Sequence, residues 1–193
     1  SGDPYAMFSL AHERLKNATS DEQAQPWLEL MQRAAEKGES YACVQFAQIH
    51  LNGYHGCARD GETWRYWLKK AVALGNETAC AMLGRDLLQE DEPVGKEFLK
   101  RGAMLGDAFG QSVLGYHLTW NGQSPAEQQE GVTWLRAAAK QGHKPAIGKL
   151  AEALQNGRGP ELETDEALVW LRKGVKLGIP ECQTSLGVAH LQG

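Results

Sequence analysis

The chain repeats itself, and the repeat restricts its fold more than any other feature. The stretch WLRAAAKQGHKPA from Trp134 recurs as WLKKAVALGNETA from Trp67, FLKRGAMLGDAFG from Phe98 and WLRKGVKLGIPEC from Trp170, with a worn copy, LMQRAAEKGESYA, from Leu30. Every copy runs into a glycine. Gly38, Gly75, Gly106, Gly142 and Gly178 stand 37, 31, 36 and 36 residues apart, and Gly2 lies 36 residues before Gly38. Periods of this length belong to arrays of stacked supersecondary units, none of which can bury its apolar faces alone.

Each period reads as two helices. In GDAFGQSVLGYHLTWNG, from Gly106, the residues Gly110, Val113, Leu114, Gly115 and Leu118 fall at helical spacing. Asp107 suits the N-cap and Asn121-Gly122 a stop. Equivalent helices, here called A, are predicted to begin near Pro4, Ser40, Glu77, Lys144 and Pro180. Helix B follows a short loop and carries the Trp-Leu pair. In DEALVWLRKGVKLG it opens at Asp165, shows an apolar stripe of Leu168, Leu171 and Val175, and gathers Lys and Arg toward its end, which suits the helix dipole. The closing glycine then supplies the left-handed residue that turns the chain into the next helix A. The 31-residue spacing implies a tightened connection with a helix start at Asp91-Glu92-Pro93. The expectation is an all-α array over residues 1–193, with five A–B pairs and a final helix A.

Small side chains explain how such units nest. Nine residues after the glycines stand Ala11, Ala47, Gly84, Gly115, Ala151 and Gly187, where anything larger would hold two helices apart. Eight residues before them stand Trp67, Phe98, Trp134 and Trp170, which are placed to fill the space between units as core. Trp27 and Trp64, one turn earlier on helix B, take no assigned role. The hydrophobic share of 42% supports a continuous core.

Composition excludes several functions. A net charge of −4 without Lys/Arg clustering argues against nucleic acid as a partner. No apolar run approaches the ~18–20 residues of a membrane span, and no segment reads as a secretion signal. Cys43, Cys57, Cys80 and Cys182 show no C-x-x-C spacing. Cys43 and Cys80 are equivalent positions of adjacent repeats, where neighbouring helices sit about 8–10 Å apart, too far for a disulfide. The cysteines read as small buried apolar residues.

On these residues the chain resembles the Sel1-like repeat family, relatives of the tetratricopeptide repeat. The pattern A-x-x-x-L-G-x-x-Y-x-x-G-x-G-V-x-x-D, then A-x-x-W-x-x-K-A-A-x-x-G, is met by Leu83-Gly84, Leu114-Gly115, Leu186-Gly187, Gly157 with Gly159, Asp60, and Trp134 with Ala138, Ala139 and Gly142. Its tyrosine is replaced by Arg14, His50, Leu87, Leu118, Leu154 and His190, and the loop after Gly122 lacks the second glycine. The resemblance implies a right-handed α/α superhelix, a solenoid, with helices A lining the concave side. It also implies a non-enzymatic adaptor or scaffold, with another protein or peptide as partner and no cofactor. Many such proteins are bacterial, and a periplasmic or secreted location is favoured over a cytoplasmic one. An immunity or inhibitor protein that sequesters a toxic enzyme is the alternative.

Reading the inward positions off each helix A gives a candidate partner-binding surface. It comprises Tyr5, Phe8 and His12; Tyr41, Gln48 and Asn52; Arg85 and Gln89; Phe109, Tyr116 and Trp120; and Glu152 with Asn156. Aromatic anchors amid amides and a few charges are what protein-binding surfaces use. Phe8 and Phe109 are also placed to pack between repeats.

Signs of catalysis are sparse. The chain has no H-E-x-x-H, P-loop or G-x-S-x-G. A β-lactamase-like hydrolase, known among disulfide-rich relatives, is the remote alternative, but S-x-x-K and regular cysteine pairs are missing. His50 and His55 are poorly spaced for a metal, and His12, His50, His117 and His190 read as wet or stacked side chains. Catalytic and metal-ligating residues are therefore assigned as none. The sequons at Asn17 and Asn76 sit at helix ends, where capping accounts for them. An RNA-reading array would need a basic groove, and these positions offer only Arg85 and Lys16.

Overall fold

The computed structural model describes residues 2–158 and 164–192, with the side chains of 164, 165 and 188–192 outside the description. Its elements are α1 (Pro4–Asn17), α2 (Asp21–Glu36), α3 (Ser40–Asn52), α4 (Gly61–Ala73), α5 (Glu77–Leu87), α6 (Glu92–Met104), α7 (Ala108–Asn121), α8 (Pro125–Lys140), α9 (Lys144–Gln155), α10 (Thr164–Lys176) and α11 (Pro180–Gln192). Odd-numbered helices are A and even-numbered helices are B: five pairs and a final A. No strand occurs among the described residues. Gly159 and the side chains of Asp165 and His190 lie outside the described residues.

The ends of the helices follow local chemistry. Asp3, Asn76 and Asp107 accept from the backbone N–H of Ala6, Ala79 and Gly110 at 2.8, 2.9 and 2.6 Å. Ser20, Asp60, Asp91 and Ser124 do the same for helices B. Each such cap contributes about 1 kcal/mol. The tightened connection ends at Asp91, which caps α6. The closing glycines Gly38, Gly75, Gly106, Gly142 and Gly178 have φ of +92°, +83°, +96°, +83° and +71°, the left-handed turn expected of them. These turns stack on each other. Lys37 Nζ donates to the Gly2 carbonyl at 3.4 Å, Gln141 Nε2 to the Gly106 carbonyl at 3.0 Å, and Leu74 lies against Gly38.

The small positions do the work expected of them. A Cβ on Gly84 would stand 2.7 Å from the Leu99 nitrogen, and one on Gly115 2.7 Å from the Leu135 nitrogen. Ala11, Ala47 and Ala151 are buried. Gly187 differs: nothing among the described residues lies within 4 Å of its added Cβ. Helix B supplies a matching glycine that spacing alone did not single out. A Cβ on Gly95 would come within 2.9 Å of the Gly84 carbonyl, and one on Gly131 within 2.8 Å of the Gly115 carbonyl. Both stand eleven residues before a closing glycine, the position that Trp27 and Trp64 hold in the first two repeats.

The core runs along the array between the two rows of helices. One buried cluster extends from Met7 to Leu83, a second joins Leu99, Ala103, Leu114 and Leu118, and a third extends from Val132 to Cys182. Trp67 and Trp170 are core, as expected, whereas Trp134 is only half-buried. Its indole N–H donates to Glu130 Oε1 at 3.1 Å, one turn back, and the polar tip keeps that edge of the ring near solvent. Trp170 repeats the bond to Glu166 at 3.2 Å, and Arg136 of the preceding repeat grips the same carboxylate at 2.7 and 2.8 Å. Trp64 is fully within the core and Trp27 packs against it. All four cysteines are free thiols. Cys43, Cys80 and Cys182 are buried and Cys57 is half-buried; burial pushes the Cys43 thiol up to about 11. Asn76 is buried as a cap, while Asn17 is exposed and donates to the Glu13 carbonyl.

Candidate partner-binding face

Rods on the inside of a bend sit closer together than rods on the outside. Helices α5 and α7, α7 and α9, and α9 and α11 touch directly, and among the described residues no two B helices approach as closely. From α5 to α11 the A row is therefore the inner row. None of the thirteen inward positions is buried. Tyr5, Tyr41, Asn52, Arg85, Gln89, Tyr116 and Asn156 are exposed; Phe8, His12, Gln48, Phe109, Trp120 and Glu152 are half-buried.

Three groups form along this face. At the first two repeats, the Phe8 ring stacks on Tyr41 at 6.4 Å and lies 6.4 Å from Tyr5 and 5.6 Å from His12. Burial and the neighbouring Lys16 ammonium push His12 below its ordinary value. The Tyr41 hydroxyl donates to Glu77 Oε1 at 3.3 Å, and that carboxylate, with burial, pushes the phenol up. At mid-array, the Arg85 guanidinium lies 5.1 Å over the Phe109 ring, whose edge meets His143 at 6.5 Å. Phe8 and Phe109 also pack against the first buried cluster, so both are part ledge and part core.

In the third group two cations meet a stacked aromatic pair. Tyr116 and Trp120, one turn apart on α7, stack at 4.9 Å. Lys149 of the next helix A sits 5.3 Å over the tyrosine ring and 5.8 Å over the indole. Arg158 lies 5.9 Å from Trp120 on the same ring system, held by its bond to the Thr119 carbonyl at 2.7 Å. Glu152 pairs with Lys149 at 2.9 Å. The result is a flat aromatic ledge with two cations and one carboxylate around it, a combination that offers apolar area, hydrogen bonds and charge at once.

Lys149, Arg158, Glu77 and His143 were not anticipated from the sequence. Each reaches the face from a neighbouring repeat, a register that only the stacked structure supplies. Gln48 Nε2 reaches Met82 Sδ at 3.7 Å, and Asn52 bonds back to the Gln48 carbonyl, so these two amides lie beside one another. Gln89 and Asn156 join none of the three groups. Among the described residues no group of three His, Cys, Asp or Glu side chains is arranged to hold a metal ion, and no helix is long and apolar enough to cross a membrane.

The same architecture occurs in known proteins. A protective antigen of uropathogenic Escherichia coli with an SLR fold superposes with a TM-score of 0.88 at 23% identity, covering 100% of this chain and 42% of that one. A Sel1 repeat protein of Oxalobacter formigenes gives 0.81 at 18% identity, covering 97% and 78%. In sequence, the chain is 24% identical over 164 residues to chitin synthase regulatory factor 4 of Schizosaccharomyces pombe, which spans 82% of this chain and 25% of that protein. The chain thus spans a quarter of that relative and less than half of the antigen. These likenesses show an α-solenoid. The Sel1 repeat pattern matches residues 28–39, 40–76, 108–143 and 145–179, together more than half of the sequence. Sel1 repeats generally mediate protein–protein interaction and are typically non-catalytic. On this match the chain belongs to the Sel1 repeat family.

Proposed function

We propose that this chain is a non-catalytic binding module that holds a partner polypeptide against its row of A helices. The Tyr116–Trp120 ledge carries this reading. It is an aromatic pair stacked on the inner row and left partly open, Tyr116 being 44% exposed, with the Lys149 and Arg158 cations against its rings. An aromatic at the centre of a polar surround is where binding energy concentrates in protein interfaces. The amides and charges along the face suit the backbone and side chains of a polypeptide.

Two substitutions test it. Tyr116→Ala and Trp120→Ala together remove the ledge; Trp120 is half-buried and also packs against the third buried cluster, so stability is read beside binding. Partner binding, measured by calorimetry or pull-down with the partner recovered by the wild type, is expected to weaken by about 2 kcal/mol or more. Helicity is expected to stay near wild type, the melting temperature to fall through the lost packing of Trp120, and Tyr116→Ala alone, at an exposed residue, to weaken binding with little change in melting temperature. Binding that survives the double change contradicts the assignment.

A further inference from the structure

A cavity of about 390 Å³ opens at the C-terminal ends of α1 and α3, and its chemistry differs from that of the aromatic ledges. Its polar wall is His12, Lys16, Gln45, Gln48, Tyr54 and His55. Every one of these can donate a hydrogen bond, and Lys16 adds a full positive charge. Leu15, Met31 and Ile49 supply an apolar side. Among the described residues no carboxylate lines the cavity; Asp21 lies against Gly56 of the adjoining loop but is not part of the wall. In a chain of net charge −4, this hollow is lined by donors and one ammonium and, among the described residues, by no acid.

The loop that closes it is built to hold its position. His55 adopts φ +57°, between Gly53 at +70° and Gly56 at +77°. A residue with a side chain rarely takes this conformation and keeps it only where its surroundings fix it. Here the Asp60 N–H bonds to the His50 carbonyl and the Arg59 guanidinium to the Asn52 carbonyl, tying the loop back to the end of α3. The strained residue is one of those lining the cavity.

We propose that this cavity binds a carboxylate group, with the carbon chain bearing it laid on Leu15, Met31 and Ile49. The carboxylate comes from the C-terminus or an acidic side chain of the guest polypeptide. That source rests on the function proposed above, but the recognition chemistry does not. An ammonium and several N–H and O–H donors around two acceptor oxygens make the strongest kind of hydrogen-bond set proteins use.

The test needs no partner. His12 and His55 ring resonances are followed by NMR at neutral pH while the full chain is titrated with N-acetylleucine, with N-acetylglutamate α-amide, or with N-acetylleucinamide. The expected result is a saturable shift of both rings in the millimolar range for at least one carboxylate, and none for the neutral amide. A response to N-acetylleucine alone assigns a C-terminal carboxylate, and a response to the glutamate derivative alone a side-chain one. Lys16→Met keeps the stem of an exposed residue and is expected to weaken binding about fivefold or more, while Lys37→Met leaves it unchanged. Equal shifts with the neutral amide, no shift with either carboxylate, or undiminished binding by Lys16→Met overturns the proposal. Because the titration reads the cavity alone, its failure would leave the ledge reading standing, and loss of partner binding on ledge substitution is read separately.

Discussion

The first two repeats and the third and fourth solve the same packing problem with opposite side chains. Eleven residues before the closing glycine, the first pair carries Trp27 and Trp64 and the second pair carries Gly95 and Gly131. Across from these, helix A carries Ala11 and Ala47 in the first pair but Gly84 and Gly115 in the second. In the early repeats the A–B space is filled with aromatic volume, and Phe46 packs edge-on against Trp67 at 5.4 Å. In the middle repeats the backbones close on each other and the buried cluster there is small. The fold tolerates both because stacking requires only that each A–B space be filled or closed. The inner face carries rings over both kinds of repeat, Tyr5 and Tyr41 over the filled ones and Tyr116 and Trp120 over the closed ones, so the packing mode and the face vary independently.

The largest expected effect comes from emptying the filled kind. Trp64→Ala removes a buried indole and is expected to cost about 3–5 kcal/mol, read from chemical denaturation. A small loss would mean that aromatic volume does not hold the early repeats together. Next comes forcing the closed kind apart. Gly115→Leu is expected to cost about 1–3 kcal/mol or more, whereas Gly187→Leu, with nothing among the described residues within 4 Å of an added Cβ, should cost almost nothing. Equal behaviour of the two glycines would refute the closure mechanism. Smaller still is a cap. Asp107→Ala removes the acceptor for the Gly110 N–H, and with it the 2.9 Å bond that Thr78 donates from the preceding helix A. About 1 kcal/mol should go, visible as a lower melting temperature.

The smallest effect depends on pH and sharpens the outer row. The Arg136 guanidinium, and beyond it the Trp170 indole, hold Glu166 below its ordinary value of 4.5. A carboxyl lowered in the folded state contributes stability that is complete above its unfolded value and is lost as pH falls through the folded one. The stability difference between wild type and Glu166→Gln is therefore expected to be present at pH 7 and to shrink below about pH 4.5. A difference that stays constant down to pH 3 would remove the ion pair from the account.

Much of this was legible in the sequence because it is local or periodic. The helix starts at Pro4, Ser40, Glu77, Lys144 and Pro180 fall where the glycine phase puts them, and the left-handed closing glycines follow from the same phase. The role of Gly84 and Gly115 was legible too, since a small residue recurring at one register has few other uses. The reciprocal glycines, Gly95 and Gly131, were not, because that position alternates between the largest and smallest side chains and shows no constant type. The candidate face was legible only as positions. That Tyr116 and Trp120 would stack, with Lys149 laid over them, depends on rotamers and on how one repeat leans on the next. The turn at His55 was hidden for a different reason: a residue with a side chain in a left-handed conformation leaves no trace in composition.

The inner row is tested most directly by placing a photo-crosslinking amino acid, p-benzoylphenylalanine, at Tyr116 on helix A or at Tyr66 on helix B. Both side chains are exposed, at 44% and 61%, so accessibility alone favours neither. Irradiation in the native cell is expected to give a discrete adduct of defined mass from position 116 and none from position 66. Adducts from position 66 alone, or the same adduct from both, would contradict a partner held by the A helices.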